Sequence, residues 1–141
     1  MKYVVLVSHG EFAEGLANAL SMLAGQKEEV LAVGLKDGKT ADEFAATFAE
    51  VIAPIHSEDE VILLGDLIGG SPLTTAMNVL TDHGLMGCTT VIGGMNLPLA
   101  LTTVLMKDAF DRDTLVAQVL SEAQGALKEF KVVSNDEDDD I

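Results

Sequence analysis

The sequence predicts an α/β fold built on a doubly wound, mostly parallel sheet of four strands, with helices on both faces. Short runs of β-forming residues alternate along the chain with segments whose apolar residues recur at the helical period. The strand runs are continuously apolar, which is typical of parallel strands covered on both faces. Strands that alternate with helices are joined by right-handed crossovers, and these build a sheet of this kind.

The first half of the chain supplies three strands and two helices. Residues 3–8 form a run of β-formers; His9 and Gly10 come next, and a helix-period pattern follows. Residues 30–34 form the second strand. Residues 40–43 read Thr-Ala-Asp-Glu, a capping box in which each end residue can bond the other's backbone N–H, so a second helix begins there. Residues 61–65 form the third strand, an uninterrupted apolar run.

The second half begins with a loop over residues 66–70. Ser71 is expected to be the N-cap of the next helix, with Pro72 at the first helical position. The run Thr89–Ile92 is the fourth strand. Leu97–Met106 has the pattern of a helix, with a proline near its start.

The last part of the chain contains one more long helix, which Asp111 or Asp113 is expected to cap. Residues 130–133 are apolar enough to form a short antiparallel strand at an edge of the sheet. The sequence therefore predicts one domain over residues 1–133. Residues 134–141 form an acidic tail that is expected to be disordered.

The composition limits the classes of partner that the protein is expected to bind. The 141 residues suit one domain with a sizeable core, and the formal net charge is −15. Such an acidic chain repels nucleic acid and anionic membranes and favours basic protein partners. Cys88 is the single cysteine, so no disulfide framework is predicted. No segment approaches the roughly 20 apolar residues that span a bilayer, and no secretion signal is recognisable, so a cytoplasmic protein is expected.

Three loops are predicted to meet at the carboxyl edge of the sheet, where ligands bind in folds of this class. They are residues 8–10, 66–71 and 93–96. A flavodoxin-like strand order places the first and third strands side by side at the topological switch point. His9 and Asp66 are therefore expected to be neighbours.

Each loop contributes a different chemical group. One nitrogen of His9 can act as a nucleophile while the other donates to Asp66, which fixes the tautomer and orientation of the ring. The turn of Gly69, Gly70 and Ser71 leads into a helix, whose free N–H groups and dipole favour a phosphoryl group. The Ser71 hydroxyl either caps that helix or bonds a phosphoryl oxygen.

Two further residues complete the candidate site. Gly10 allows a large group to approach the backbone beside His9, and Asn96 is a candidate for positioning its loop. Together these residues describe a histidine that becomes phosphorylated. The sequence has neither of the glycine-rich nucleotide-binding motifs, so the phosphoryl group is expected to come from another protein. No cofactor is expected. No metal is expected either, because no metal-ligand spacing supports a site at His9, Asp66 and Glu11.

The same residues resemble a known family. His9 within Val-Ser-His-Gly, residues 66–72 (Asp-Leu-Ile-Gly-Gly-Ser-Pro) and residues 94–98 (Gly-Met-Asn-Leu-Pro) resemble the mannose-family enzyme IIA component of the bacterial phosphoenolpyruvate:sugar phosphotransferase system. The likeness covers nearly all of residues 1–133. It implies a phosphorylated histidine at His9, with Asp66 as its hydrogen-bonding carboxylate.

The resemblance also implies partners. Ser71 corresponds to the family serine beside the phosphoryl group. The family takes the phosphoryl group from the histidine-containing phosphocarrier HPr and passes it to the IIB component, which phosphorylates sugar as a membrane IIC/IID pair imports it. A homodimer, often with its last strand exchanged between subunits, is implied as well. Ile68 and Leu67 depart from the aromatic residue and the threonine that some members carry there. The chain is expected to be a free-standing IIA subunit.

Three alternatives remain open at this point. The phosphoryl-transfer subunit of a dihydroxyacetone kinase shares the fold class, and purified IIB would distinguish it. A receiver-like signalling domain would need acidic residues at the tip of the first strand, where this chain has His9. A regulatory interaction domain, whose phosphorylation a transcription regulator senses, is compatible with the carrier role.

Overall fold

A computed structural model of the chain describes residues 1–133. Its sheet has four parallel strands in the order β2-β1-β3-β4: β1 (Lys2–His9), β2 (Val30–Leu35), β3 (Glu60–Gly65) and β4 (Thr89–Ile92). Five α-helices connect or follow the strands: α1 (Phe12–Ala24), α2 (Ala41–Val51), α3 (Ser71–Asp82), α4 (Leu97–Met106) and α5 (Arg112–Ala126). A short 3-10 helix, Met86–Cys88, precedes β4. The predicted fold class, strand order and parallel pairing are confirmed.

The sheet has a hydrophobic core on each face, because successive side chains of a strand point to opposite sides. Val4 and Leu6 of β1 pack with the helices α1, α4 and α5. Val5 and Val7 pack with α2 and α3. The same alternation continues to the end of β1, so Ser8 faces α1 and His9 lies on the side of α3.

Most predicted helix boundaries are confirmed. Thr40 and Glu43 form the capping box: the Thr40 hydroxyl accepts the Glu43 N–H at 3.1 Å, and the Glu43 carboxylate accepts the Thr40 N–H at 2.9 Å. Asp111 caps α5 by accepting the N–H of Thr114 at 2.8 Å. Of the two candidates for that cap, the structure selects Asp111.

The predicted N-cap of α3 is wrong by one residue. Gly70 occupies the N-cap position with an extended backbone, and Ser71 is already the first helical residue. A residue inside the helix cannot use its side chain as the N-cap does, and no side-chain cap bond is made at this end. The Ser71 hydroxyl is therefore not used in capping.

The predicted edge strand over residues 130–133 is also wrong for the described chain, where residues 127–133 belong to neither helix nor strand. A strand exists only when a neighbour pairs with it, and this segment leaves the body of the protein after α5. Phe130 is 87% exposed and Val132 is 84% exposed. The predicted tail, 134–141, lies outside the described residues.

None of the helices within residues 1–133 combines the length and the apolar character that crossing a membrane would require.

Candidate functional site

His9 and Asp66 lie together at the carboxyl edge of the sheet. Parallel pairing aligns Val7 of β1 with Gly65 of β3, so the residues that follow these two emerge at the same place. The imidazole of His9 is 47% exposed, whereas the carboxylate of Asp66 is only 15% exposed. His9 therefore faces solvent, whereas Asp66 is largely buried beneath it.

A single carboxylate oxygen holds both the backbone and the ring of His9. Oδ2 of Asp66 accepts the backbone N–H of His9 at 2.9 Å and lies 2.9 Å from the ring nitrogen Nδ1. The other oxygen, Oδ1, accepts the N–H of Leu67 at 2.9 Å. These bonds leave Asp66 little freedom and fix the plane of the imidazole.

The ionisation of Asp66 follows from these contacts. Burial of the carboxyl group acts to raise the pKa of Asp66, because a charge is poorly solvated there. The hydrogen bonds from His9 and Leu67 outweigh burial, and the pKa of Asp66 lies below its ordinary value. An ionised carboxylate only accepts hydrogen bonds, so Nδ1 of His9 carries a proton. The lone pair of the neutral ring is then on Nε2, the nitrogen available for nucleophilic chemistry.

The start of α3 lies directly beside the ring. A Cβ placed on Gly70 would lie 2.9 Å from Cε1 of His9, closer than carbon atoms normally approach. Glycine at this position therefore lets the ring approach the helix start. The first N–H groups of a helix have no partner within it, and they favour a negatively charged group. Gly69, with φ +83°, makes the turn that precedes them.

Gly10 shapes the turn after β1. Its φ is +58°, a backbone conformation that residues with side chains rarely adopt. Its N–H donates to the carbonyl of Leu35 at 2.7 Å. That donor is consequently engaged in joining the turn to β2.

Asn96 supports its loop as a helix cap. Its side-chain oxygen accepts the N–H of Leu99 at 2.9 Å and so begins α4. The neighbouring N–H of Met95 donates to the carbonyl of Gly65 at 2.9 Å. The loop is thus attached to β3 immediately before Asp66, although the Asn96 side chain itself is occupied with the helix.

Two residues at the back of the site were not predicted. The Ser8 hydroxyl accepts the N–H of Ala13 at 2.7 Å. Gly34 packs so tightly against the carbonyl of Gly10 that a side chain there would have no room. A serine before a histidine gives no separate signal in the sequence, and the role of Gly34 depends on the register between β1 and β2.

Exposed apolar side chains follow both His9 and Asp66 closely along the chain. Phe12 is the first residue of α1, and Leu67 and Ile68 follow Asp66; we call these three residues the apolar rim. All three are exposed, and Ile68 reaches 82%. Ile68 rests on Gly93, where a side chain would collide with it. Large exposed apolar side chains beside a reactive group are typical of a surface that contacts another protein.

Within residues 1–133, no three side chains among His, Cys, Asp and Glu are grouped so that they could hold a metal ion.

The fold agrees with that of solved IIA subunits of phosphotransferase systems. The mannose/sorbose-specific IIA subunit from Enterococcus faecalis superimposes with a TM-score of 0.79 at 23% identity, covering 96% of this chain and 99% of that one. The IIA protein associated with the fucose utilization operon of Streptococcus pneumoniae gives a TM-score of 0.77 at 27% identity, covering 91% and 92%. These similarities indicate that the protein is of the class of phosphotransferase-system IIA proteins.

The family follows from the sequence comparison. The EIIA-man family model, described as the PTS system fructose IIA component, matches residues 3–120. The chain belongs to this family. The mannose-specific EIIAB component of the phosphotransferase system of Escherichia coli K12 is 28% identical over 131 residues, or 91% of this chain. The chain spans only 39% of the length of that relative.

We predict that the contribution of Asp66 to stability depends on pH. Asp66→Asn should lower the free energy of unfolding by about 1–2 kcal/mol at pH 7, because charge-assisted hydrogen bonds to His9 and Leu67 are weakened. The lowered pKa of Asp66 means that folding favours the ionised carboxylate. The difference in unfolding free energy between the two proteins should therefore be fully present above pH about 3.9, the pKa of an aspartate in the unfolded chain. It should disappear as the pH falls through the lower pKa of Asp66 in the folded protein.

Urea unfolding of both proteins across the acid range measures this difference. Asp37→Asn is the control, because it makes the same chemical change at an exposed turn and should have little effect at any pH. A difference between Asp66→Asn and the original protein that stayed constant down to the lowest pH would contradict the prediction.

Proposed function

We propose that the protein is a phosphocarrier in which His9 receives a phosphoryl group from phosphorylated HPr and passes it to a IIB component. The observation that carries this proposal is the double contact of one Asp66 oxygen with the N–H and Nδ1 of His9. It leaves Nε2 as the free nucleophile on an exposed ring. Family membership supports the same role.

The proposed transfer is balanced in bonds and charge. The lone pair of Nε2 attacks the phosphorus of the phosphohistidine of HPr while the N–P bond of that residue breaks. The electron pair of the broken bond returns to the histidine nitrogen of HPr. The proton stays on Nδ1 of His9 and remains hydrogen-bonded to Asp66, whose negative charge stabilises the positive charge that develops on the ring. In the transfer to IIB, Nε2 of His9 is the leaving group and takes back the electron pair of its own N–P bond.

The phosphoryl oxygens are proposed to lie over the turn of Gly69, Gly70 and Ser71. The closeness of Gly70 to Cε1 of His9 supports this, because Nε2 is bonded to Cε1. The Ser71 hydroxyl, which no cap bond engages, is proposed to donate to a phosphoryl oxygen. We propose that Gly10 acts through the shape of its turn, since its N–H already donates to Leu35.

Labelling with phosphoenolpyruvate, enzyme I and HPr tests the role of His9. One acid-labile phosphoryl adduct should appear on the intact protein, and peptide mapping should place it on His9. His9→Ala should abolish the adduct, because the two other imidazoles of the chain, those of His56 and His83, do not hydrogen-bond Asp66. His56→Ala, at an exposed loop, is the matched control and should label as before.

Absence of the adduct, with HPr and enzyme I shown to be active, would contradict the carrier proposal. Once labelled, the protein should transfer the group to a purified IIB component. Transfer only to the other subunits of a dihydroxyacetone kinase would favour that alternative instead. This exchange is proposed to take place in the cytoplasm, with a membrane IIC/IID pair acting downstream of IIB.

The apolar rim is proposed to be the docking surface for both partners. Phe12 lies three residues after His9, and Leu67 and Ile68 directly follow Asp66, so we propose that a partner whose reactive group reaches Nε2 covers these exposed side chains. Covering them removes apolar surface from water and also excludes water from the reacting atoms. The acidic charge of the chain favours partners with basic surfaces.

Ile68→Asp should raise the KM for phosphorylated HPr by about tenfold, because central apolar residues of interfaces typically contribute about 1–3 kcal/mol. Initial rates of labelling at several HPr concentrations measure the effect. Met22→Asp is the control: Met22 is 81% exposed, but it lies about 15 Å further along α1 than Phe12. Equal KM values for the two variants would contradict the docking proposal.

A homodimer is also proposed, with the C-terminal segments exchanged. Among the described residues β4 pairs only with β3, so its outer edge is available to another strand. On the opposite edge, the carboxylate of Glu14 accepts the N–H of Gly34 at 3.1 Å and so covers part of β2. The exposed apolar residues Phe130 and Val132 are well suited to pair with β4 of a second copy.

Phe130→Asp should convert the dimer to a monomer, because a charge would then have to be buried in the shared sheet. Sedimentation velocity measures the change, and Met22→Asp should leave the mass unchanged. A monomeric original protein, or a Phe130→Asp variant that remained dimeric, would contradict the exchanged-strand arrangement.

A further inference from the structure

Within residues 1–133, the Ser8 hydroxyl makes the only side-chain hydrogen bond that joins β1 to the N-terminal turn of α1. Ser8 is completely buried at the end of β1, and its Oγ accepts the N–H of Ala13 at 2.7 Å. The N-cap residue of α1, Glu11, makes no side-chain cap bond. A helix usually receives this bond from its own N-cap residue, whereas α1 receives it from the preceding strand.

We propose that Ser8 is a positioning residue for phosphoryl transfer at His9. By bonding Ala13, its hydroxyl fixes the turn of residues 9–12 and holds the imidazole in line with Asp66 and the start of α3. The proposal rests on the carrier function proposed above.

The turn of residues 9–12 is held from three directions. On the α3 side, the N–H of His9 donates to Asp66 at 2.9 Å. Toward β2, the N–H of Gly10 donates to Leu35 at 2.7 Å, and the Gly10 carbonyl rests on Gly34 without spare room. On the α1 side, the Ser8 hydroxyl makes the connection. Loss of the Ser8 bond allows the turn to shift, because the other two contacts do not restrain the start of α1.

Removal of the hydroxyl also leaves the N–H of Ala13 without a partner. Ala13 is completely buried, so its N–H has no access to water unless the helix start moves outward. Such a movement shifts His9 relative to the start of α3, where the ring lies so close that a side chain on Gly70 would collide with it. A displacement of about 1 Å in a reacting group can cost on the order of a hundredfold in rate.

The experiment compares Ser8→Ala with a control that removes a helix cap far from His9. Asp111→Ala is that control. Asp111 lies far from His9: the carbonyl of the preceding residue, Phe110, accepts a hydrogen bond from the side chain of Lys2. Lys2 is the first residue of β1 and His9 the last, and the two are about 23 Å apart along the strand. Both variants lose one capping bond, and urea unfolding measures how much stability each loses. Single-turnover labelling by phosphorylated HPr then measures transfer.

Ser8→Ala should lower the rate constant of transfer at saturating HPr by about tenfold to a hundredfold, because the imidazole is no longer held in line with Asp66 and the start of α3. Asp111→Ala should transfer at the original rate. Nitrogen NMR of the unphosphorylated ring should show a smaller fraction of the Nδ1–H tautomer in Ser8→Ala. Ser8→Thr, which keeps the hydroxyl, should restore both the rate and the tautomer.

Transfer by Ser8→Ala at the original rate, or an equal loss of rate in Asp111→Ala, would overturn the proposal. If Ser8→Ala does not fold, Ser8→Cys replaces it, since sulfur is a poor acceptor of similar size, and an unchanged rate there would overturn it equally. The tautomer measurement needs no phosphoryl donor. It therefore tests the positioning by Ser8 even where failure of His9 labelling has refuted the carrier function.

Discussion

The organisation of the site depends on one oxygen atom, Oδ2 of Asp66, which bonds two nitrogens of the same residue. The bond to the backbone N–H of His9 places the main chain, and the bond to Nδ1 places the ring. Both bonds require the ends of β1 and β3 to be adjacent and to point the same way. The parallel order β2-β1-β3-β4 meets this requirement, because it makes these two strands direct neighbours. The sheet is thus the device that orients the histidine.

The glycines around His9 allow close packing that side chains would prevent. Gly70 admits the ring beside the start of α3, and Gly34 admits the carbonyl of Gly10. A helix start, with its unpaired N–H groups, is useful to a phosphoryl group only if the nucleophile can approach it closely. The small residues therefore determine the distance between the reactive nitrogen and the N–H donors, which the strand order alone does not fix.

Periodicity and capping patterns were sufficient to predict the elements that depend on local sequence. The bounds of β4 and α4 and the capping box of Thr40 and Glu43 agree with the prediction. Ser71 was misplaced because glycine also serves as an N-cap and the pattern does not separate adjacent positions. Residues 130–133 have the composition of a strand, but a strand also needs a partner, which the sequence of one chain does not supply.

The site was predictable where topology determines it and not where packing does. Adjacency of His9 and Asp66 follows from the strand order expected of an α/β sheet. The roles of Ser8 and Gly34 depend on which face each side chain occupies and on the register of β1 with β2, and single residue types do not reveal either. The sequence therefore predicted that His9 and Asp66 are neighbours, whereas only the structure shows which residues hold them in place.

The unequal exposure of the two central residues suits a group that must be both oriented and reached. Asp66 is largely shielded, so its bonds to His9 compete little with water, while nearly half of the His9 side chain remains accessible. In the proposed carrier mechanism, a phosphohistidine at this accessible position would also be open to water, and hydrolysis would lose the phosphoryl group. A partner that covered the apolar rim of Phe12, Leu67 and Ile68, as we propose, would shield the transfer from water at the moment when the reacting nitrogens meet. In that mechanism the orientation of the ring is a property of this chain, whereas the exclusion of water depends on the bound partner.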